Sequence, residues 1–157
     1  MTPMRHLPLL LLAGILTACA PPAEPAGAST EWELEYIAGA NAALNLPFSD
    51  AVRVGNLLYL SGQVGNPPGV FEVVEGGTMA EARQTLTNIK RVLEENGSSM
   101  DHVVKCTLML EDMSEWSAVN EVYVEFFPND KPARSAFGTS GLALGAAVEI
   151  ECIGYVP

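Results

Sequence analysis

Two residues of this sequence stand out as equipped for polar chemistry. Arg134 and Glu149 bracket a glycine-rich segment in "DKPARSAFGTSGLALGAAVEIE", Asp130 to Glu151. An arginine carries a planar, permanently charged fork that holds a carboxylate through two parallel hydrogen bonds. A glutamate accepts a proton from water when it is held near the reacting atom. If residues 133–137 and the strand starting near Val148 are antiparallel neighbours, the midpoint between Arg134 and Glu149 falls at Gly141-Leu142. Symmetric pairing then sets the two side chains opposite each other on one sheet face. Ser135, Phe137, Val148, Ile150 and Cys152 would point the other way, toward the helices. The same placement also describes a plain cross-strand ion pair, worth at most about 1 kcal/mol.

Other chemistry finds little support. His6 lies in the first few residues and His102 stands alone before a strand, so no cluster with metal-ligand spacing is present. Neither a G-x-S-x-G elbow nor a phosphate-cradling glycine loop with its lysine occurs. Cys106 and Cys152 alternate with apolar residues and read as buried core positions. On neighbouring strands in an oxidising compartment they would instead be placed to form a disulfide. With 8 Lys plus Arg against 19 Asp plus Glu, the net charge of −11 argues against nucleic acid as a partner.

The elements that must position these residues follow from periodicity. At 157 residues, 48% apolar and 17% charged, the sequence has room for one globular domain. "EWELEYI" alternates Trp32, Leu34 and Tyr36 against Glu31, Glu33 and Glu35, the pattern of a half-buried strand. "DAVRVGNLLYLSGQVG" predicts two strands joined by a tight turn at Gly55-Asn56, and residues 67–77 predict a loop. Thr78 and Glu81 have capping-box spacing, and Met79, Ala82, Leu86, Ile89 and Leu93 recur as the buried stripe of a helix ending at Asn96-Gly97. A strand over 103–110 follows, then a helix over about 114–127 with Trp116, Val119, Tyr123 and Phe126 buried, then a last strand over about 148–156. The order β-β-β-α-β-α-β-β predicts an α+β domain with both helices on one face of the sheet.

The chain begins with a different kind of segment. An arginine near the start precedes the apolar run Leu7–Leu16, too short for a spanning helix of roughly 20 residues. Leu16-Thr17-Ala18-Cys19 resembles a bacterial lipobox. That resemblance implies a signal peptide over 1–18, lipid on Cys19 and a proline-rich tether over 19–30, with the folded domain at 31–157. Contact with a membrane would then be through the anchor alone. No charged residue follows Cys19 directly, which by resemblance to enterobacterial sorting rules favours the periplasmic side of the outer membrane over the inner membrane.

"GNLLYLSGQVG", "ARQTLTNIKRVLEENG", "AVNEVYVEFF", "PARSAF" and "AAVEIECIGYV" together resemble the YjgF/RidA family of enamine and imine deaminases, from about Pro47 to Val156. The resemblance implies a chorismate-mutase-like mixed sheet with two helices on one face. It also implies homotrimers with open sheet faces turned inward and active sites between subunits. On this pattern Arg134 binds the substrate carboxylate and Glu149 positions or activates water. Gly62 and Ala136 offer backbone N–H groups to the ligand, Ser61 lies beside them, and Asn120 lies near the interface. The implied reaction is hydrolysis of a 2-imino acid or its enamine to a 2-oxo acid and ammonia, with no cofactor. Three departures imply a changed substrate preference or a lower activity: Phe48 where a tyrosine is usual, Ala136 where a cysteine is common, and the glycine-rich loop 138–146. A trimer that binds small carboxylates without catalysis, or shields other proteins, is the alternative.

Overall fold

The structure, a computed structural model, describes residues 32–157. The expected signal peptide over 1–18, lipid-bearing Cys19 and tether over 19–30 lie outside the described residues. Strands β1 (Leu34–Ile37), β2 (Ala51–Val54), β3 (Leu57–Leu60) and β4 (Gln63–Val64) precede helix α1 (Gly77–Glu95). Strand β5 (Val103–Leu110), helix α2 (Trp116–Phe126) and strands β6 (Ala133–Gly138) and β7 (Val148–Tyr155) complete the fold. One mixed sheet runs β1-β2-β3-β7-β5-β6, with β4 also pairing β7.

The alternating strands bury one face under the helices. Cys106, Leu108 and Leu110 of β5 and Val148, Ile150 and Cys152 of β7 are buried against Leu86, Ile89 and Leu93 of α1 and Val119 and Val122 of α2. This is the expected α+β arrangement of two helices on a sheet. Cys106 and Cys152 sit directly opposite in the β5–β7 register and are joined by a disulfide.

Several local expectations need correction. The third predicted strand breaks into β3 and β4, because Tyr59 pairs with Ile153 while Gln63 pairs with Ile150. Four steps on one side thus match three on the other, so a bulge at 60–62 turns the chain. Helix α1 starts at Gly77, and no side-chain cap holds its first turn. Glu81 serves elsewhere: its Oε2 accepts the Ala147 N–H at 2.8 Å, tying α1 to the start of β7. A Cβ at Gly65 would lie 2.7 Å from the Glu81 Cα, so the close β4–α1 approach requires glycine. Met79 and Trp116, expected in buried stripes, are exposed, since each lies in the first turn of its helix at the rim of the core. Leu34 and Tyr36 do share one side of β1, but they and Trp32 are 51–69% exposed. Leu34 and Tyr36 belong to the sheet face that no helix among the described residues covers, together with Tyr59 and Phe137.

Candidate functional site

Arg134 and Glu149 are not cross-strand partners. Strand β5 lies between β6 and β7, parallel to β6 and antiparallel to β7. Arg134 stands beside Cys106, whereas Glu149 stands beside Met109. Two strand spacings and three residue rises separate their Cα atoms by roughly 14 Å. The two side chains also leave opposite faces of the sheet. Arg134 shares the helix face with buried Cys106, and Glu149 alternates with buried Val148 and Ile150. Ser135 and Phe137 accordingly lie on the open face; the Ser135 Oγ accepts a hydrogen bond from Lys105 Nζ at 2.9 Å. Neither the shared-face arrangement nor the plain ion pair occurs within one chain.

Arg134 is positioned by α2. Its Cζ lies 4.7 Å from the Tyr123 ring centroid and 5.8 Å from that of Trp116, so the guanidinium rests on aromatic faces. Trp116, Asn120 and Tyr123 are spaced four and three apart and therefore share one helix face. Tyr123 is 3% exposed, and burial pushes its hydroxyl up to about 12 against the opposing pull of the Arg134 charge. It is therefore neutral at physiological pH. The Tyr123 hydroxyl and the Asn120 Oδ1 are buried without hydrogen-bond partners among the described residues. Arg53, Arg83 and Arg91 each hold a glutamate. Among the described residues no carboxylate lies within ion-pair distance of Arg134. Ala136, two residues along β6, packs half-buried beside Leu108. A charged fork beside unsatisfied polar groups suits an anionic ligand with acceptor and donor sites.

Glu149 belongs to a second cluster. A Cβ at Gly62 would lie 2.9 Å from the Glu149 Cδ and closer still to Oε1, so any side chain there would push this carboxylate from its place. Phe48, Gly62 and Glu149 line one recess of about 310 Å³ with Leu44, Leu46, Phe71 and Leu144. Burial, and secondarily the charge of Glu151, raise the Glu149 carboxyl above its ordinary value. A carboxylate with raised proton affinity is a stronger base toward water than an ordinary one. Ser61 adjoins this recess in the chain, with its hydroxyl turned to donate to the Ser49 carbonyl at 2.6 Å, which pins the loop carrying Phe48.

The seven residues singled out within the domain therefore fall into two clusters. Arg134, Ala136 and Asn120 gather on β6 and α2; Phe48, Ser61, Gly62 and Glu149 gather around the β3–β4 bulge and β7. The sequence pattern marks Tyr123 only as part of a buried stripe, although its spacing from Asn120 puts it on the same helix face. Leu44, Leu46, Phe71 and Leu144 carried no signal, because separate loops bring them together.

A model of the family described as Endoribonuclease L-PSP matches residues 40–156. A Capra hircus protein named 2-iminobutanoate/2-iminopropanoate deaminase is 44% identical over 107 residues, covering 68% of this chain and 78% of that one. A RutC family protein of Pyrococcus horikoshii is 42% identical over 109 residues, covering 69% and 86%. RidA from an Antarctic Psychrobacter species superposes with a TM-score of 0.68 at 41% identity, over 71% of this chain and 90% of that one. The YjgF gene product of E. coli superposes with a TM-score of 0.71 at 33% identity, over 78% and 99%. By the match of most of its length and by its fold, this chain belongs to the Endoribonuclease L-PSP family of YjgF/RidA proteins.

Proposed function

We propose that this protein hydrolyses 2-imino acids, or their enamine tautomers, to 2-oxo acids and ammonia. The observation that carries the proposal is the pairing of a base-like Glu149 in an apolar recess with an Arg134 guanidinium that no carboxylate among the described residues neutralises. Relatives about 40% identical bear the name 2-iminobutanoate/2-iminopropanoate deaminase, which supports the same class of reaction. Because the two groups leave opposite faces of one sheet, the complete site needs Arg134 from one copy and Glu149 from another. The sheet face bearing Leu34, Tyr36, Tyr59 and Phe137, which no helix among the described residues covers, supplies apolar surface for that association, in keeping with a homotrimer.

In the proposed site Arg134 binds the substrate carboxylate through its fork. Glu149 takes a proton from water as the oxygen attacks C2 of the iminium, and the C=N π electrons move to nitrogen. The protonated Glu149 returns its proton to that nitrogen. The C–N bond then breaks as the hydroxyl oxygen forms C=O, and the hydroxyl proton leaves with ammonia as ammonium. Positioning accounts for most of the acceleration, since such imines already hydrolyse in water.

Hydrolysis is tested by generating the imine with an amino-acid oxidase and trapping it with semicarbazide. Faster loss of trappable imine with wild type than with Arg134→Ala is the expected result, with a difference of about 100-fold or more in kcat/KM. Equal rates for the two proteins would refute hydrolysis at this site. Binding of 2-oxo acids without any acceleration would leave the non-catalytic trimer in its place.

We further propose export and lipid attachment at Cys19. The Cys106–Cys152 disulfide supports this, because such bonds persist mainly in oxidising compartments. Incorporation of labelled palmitate that Cys19→Ser abolishes is the expected outcome; equal labelling of the variant would reject the anchor.

A further inference from the structure

The recess beside Glu149 has walls that say more about the substrate than the reaction class does. Of the residues lining it, Glu149 alone carries an ionisable side chain. A substrate carboxylate is repelled from it, so what enters past the reacting carbon is the substituent on C2. The two side-chain amides that line it already donate hydrogen bonds to the backbone. Asn66 Nδ2 donates to the Val70 carbonyl at 2.7 Å, and Gln63 Nε2 points to the Ser61 carbonyl. The other large side chains lining it are apolar: Leu44 and Leu46, half-buried, and Phe48, Phe71 and Leu144, exposed in a single copy. A volume of about 310 Å³ equals that of roughly ten waters in the liquid. A methyl group would leave most of it wet.

Leu144 adds an independent sign. Its backbone is left-handed, with φ 61° and ψ 13°, although Gly141 and Gly145 flank it in the same loop. A glycine would relax that conformation, which β-carbon-bearing residues adopt at a cost. The chain holds a leucine there instead, exposed at 44% and forming a wall of the recess. Strain of this kind persists where a side chain is needed in a particular place.

We infer that this recess selects 2-imino acids with branched aliphatic or aromatic side chains over those with a methyl or ethyl group, and that Leu144 and Phe48 set the preference. This rests on the deaminase proposal for the identity of the reaction. Each further buried methylene adds roughly a fourfold preference, so an isobutyl substituent is expected to exceed a methyl by tenfold or more in kcat/KM.

The test uses the full-length protein and imines generated by an oxidase from alanine, leucine and phenylalanine. The leucine- and phenylalanine-derived imines are expected to react at least tenfold more efficiently than the alanine-derived one. Leu144→Gly, which suits the left-handed backbone, is expected to cut that ratio to threefold or less. A wild-type ratio near one, or a ratio unchanged in Leu144→Gly, overturns the inference while leaving hydrolysis intact. If no imine reacts faster with protein than without, the reaction proposal fails, and calorimetric titration decides the recess by itself. Tighter binding of 4-methyl-2-oxopentanoate than of 2-oxopropanoate, weakened in Leu144→Gly, sustains the preference; equal affinities overturn it.

Discussion

Gly62→Ala tests the geometry of the proposed base without removing any functional group. Gly62 lies outside the left-handed region, so alanine adopts its backbone without strain. Gly→Ala at such a position changes stability by about 1 kcal/mol or less, and in the favourable direction. The added Cβ, however, would lie 2.9 Å from the Glu149 Cδ. Carbon atoms in contact sit about 3.5 Å apart or more, so Cδ must retreat by at least about 0.6 Å. The carboxylate oxygen, further out on the side chain and nearer the new methyl, moves by roughly 1 Å. A displacement of that size in a catalytic group lowers the rate about 100-fold. The semicarbazide assay with oxidase-generated 2-iminobutanoate reads kcat/KM, and thermal unfolding followed by circular dichroism reads the fold. A 100-fold loss with an unchanged or slightly raised Tm is expected. The double variant Gly62→Ala/Glu149→Gln should lose no more than Glu149→Gln alone, because both changes act through one carboxylate. Activity within threefold of wild type would refute the placement of Glu149 as the water-activating group.

Further outcomes follow from burial and covalent linkage. The raised Glu149 carboxyl means that the folded chain binds this proton more tightly than the unfolded chain. Ionised Glu149 therefore costs stability at neutral pH, and the cost fades as pH falls through its folded value. Glu149→Gln is expected to raise Tm at neutral pH, with the gain vanishing below the ordinary 4.5, and to lower kcat/KM by 10²-fold or more. A gain equal at every pH would show that the charge is not its cause. Cys106 and Cys152 lie 46 residues apart in sequence and are almost fully buried. Closing a loop of that length stabilises by up to about 4 kcal/mol, which reduction under denaturing conditions should remove. Non-reduced peptide mapping should recover the two cysteines linked, and labelling of both as free thiols in the unreduced, denatured protein would contradict the bond.

Much of this molecule was legible from residue order alone, and the reason is local. Ala82, Leu86, Ile89 and Leu93 at helical spacing, and Cys106, Leu108 and Leu110 at alternating spacing, state which face each element buries before any partner is known. Arg134 and Glu149 were conspicuous by type, and Asn120 shares a helix face with Tyr123 whatever lies above it. The partner of β6 was not legible. A midpoint between Arg134 and Glu149 presupposes a hairpin, but the intervening loop instead crosses the end of β5. Thr139 donates its N–H to the Leu110 carbonyl there, and the Glu111 N–H donates to Ala147. Strands β5 and β6, joined through α2, run parallel, as a crossover helix permits. Sequence by itself thus determined most of the elements, the buried faces of α1, β5 and β7 and the two chemical groups, because each depends on neighbours two to four residues away. Only tertiary structure decided that β5 separates those groups, that Gly62 makes room for a carboxylate 87 positions later, and that Leu144 closes an apolar recess around it. Those outcomes depend on which of several compatible strand edges pair, a choice made by burial across the whole sheet.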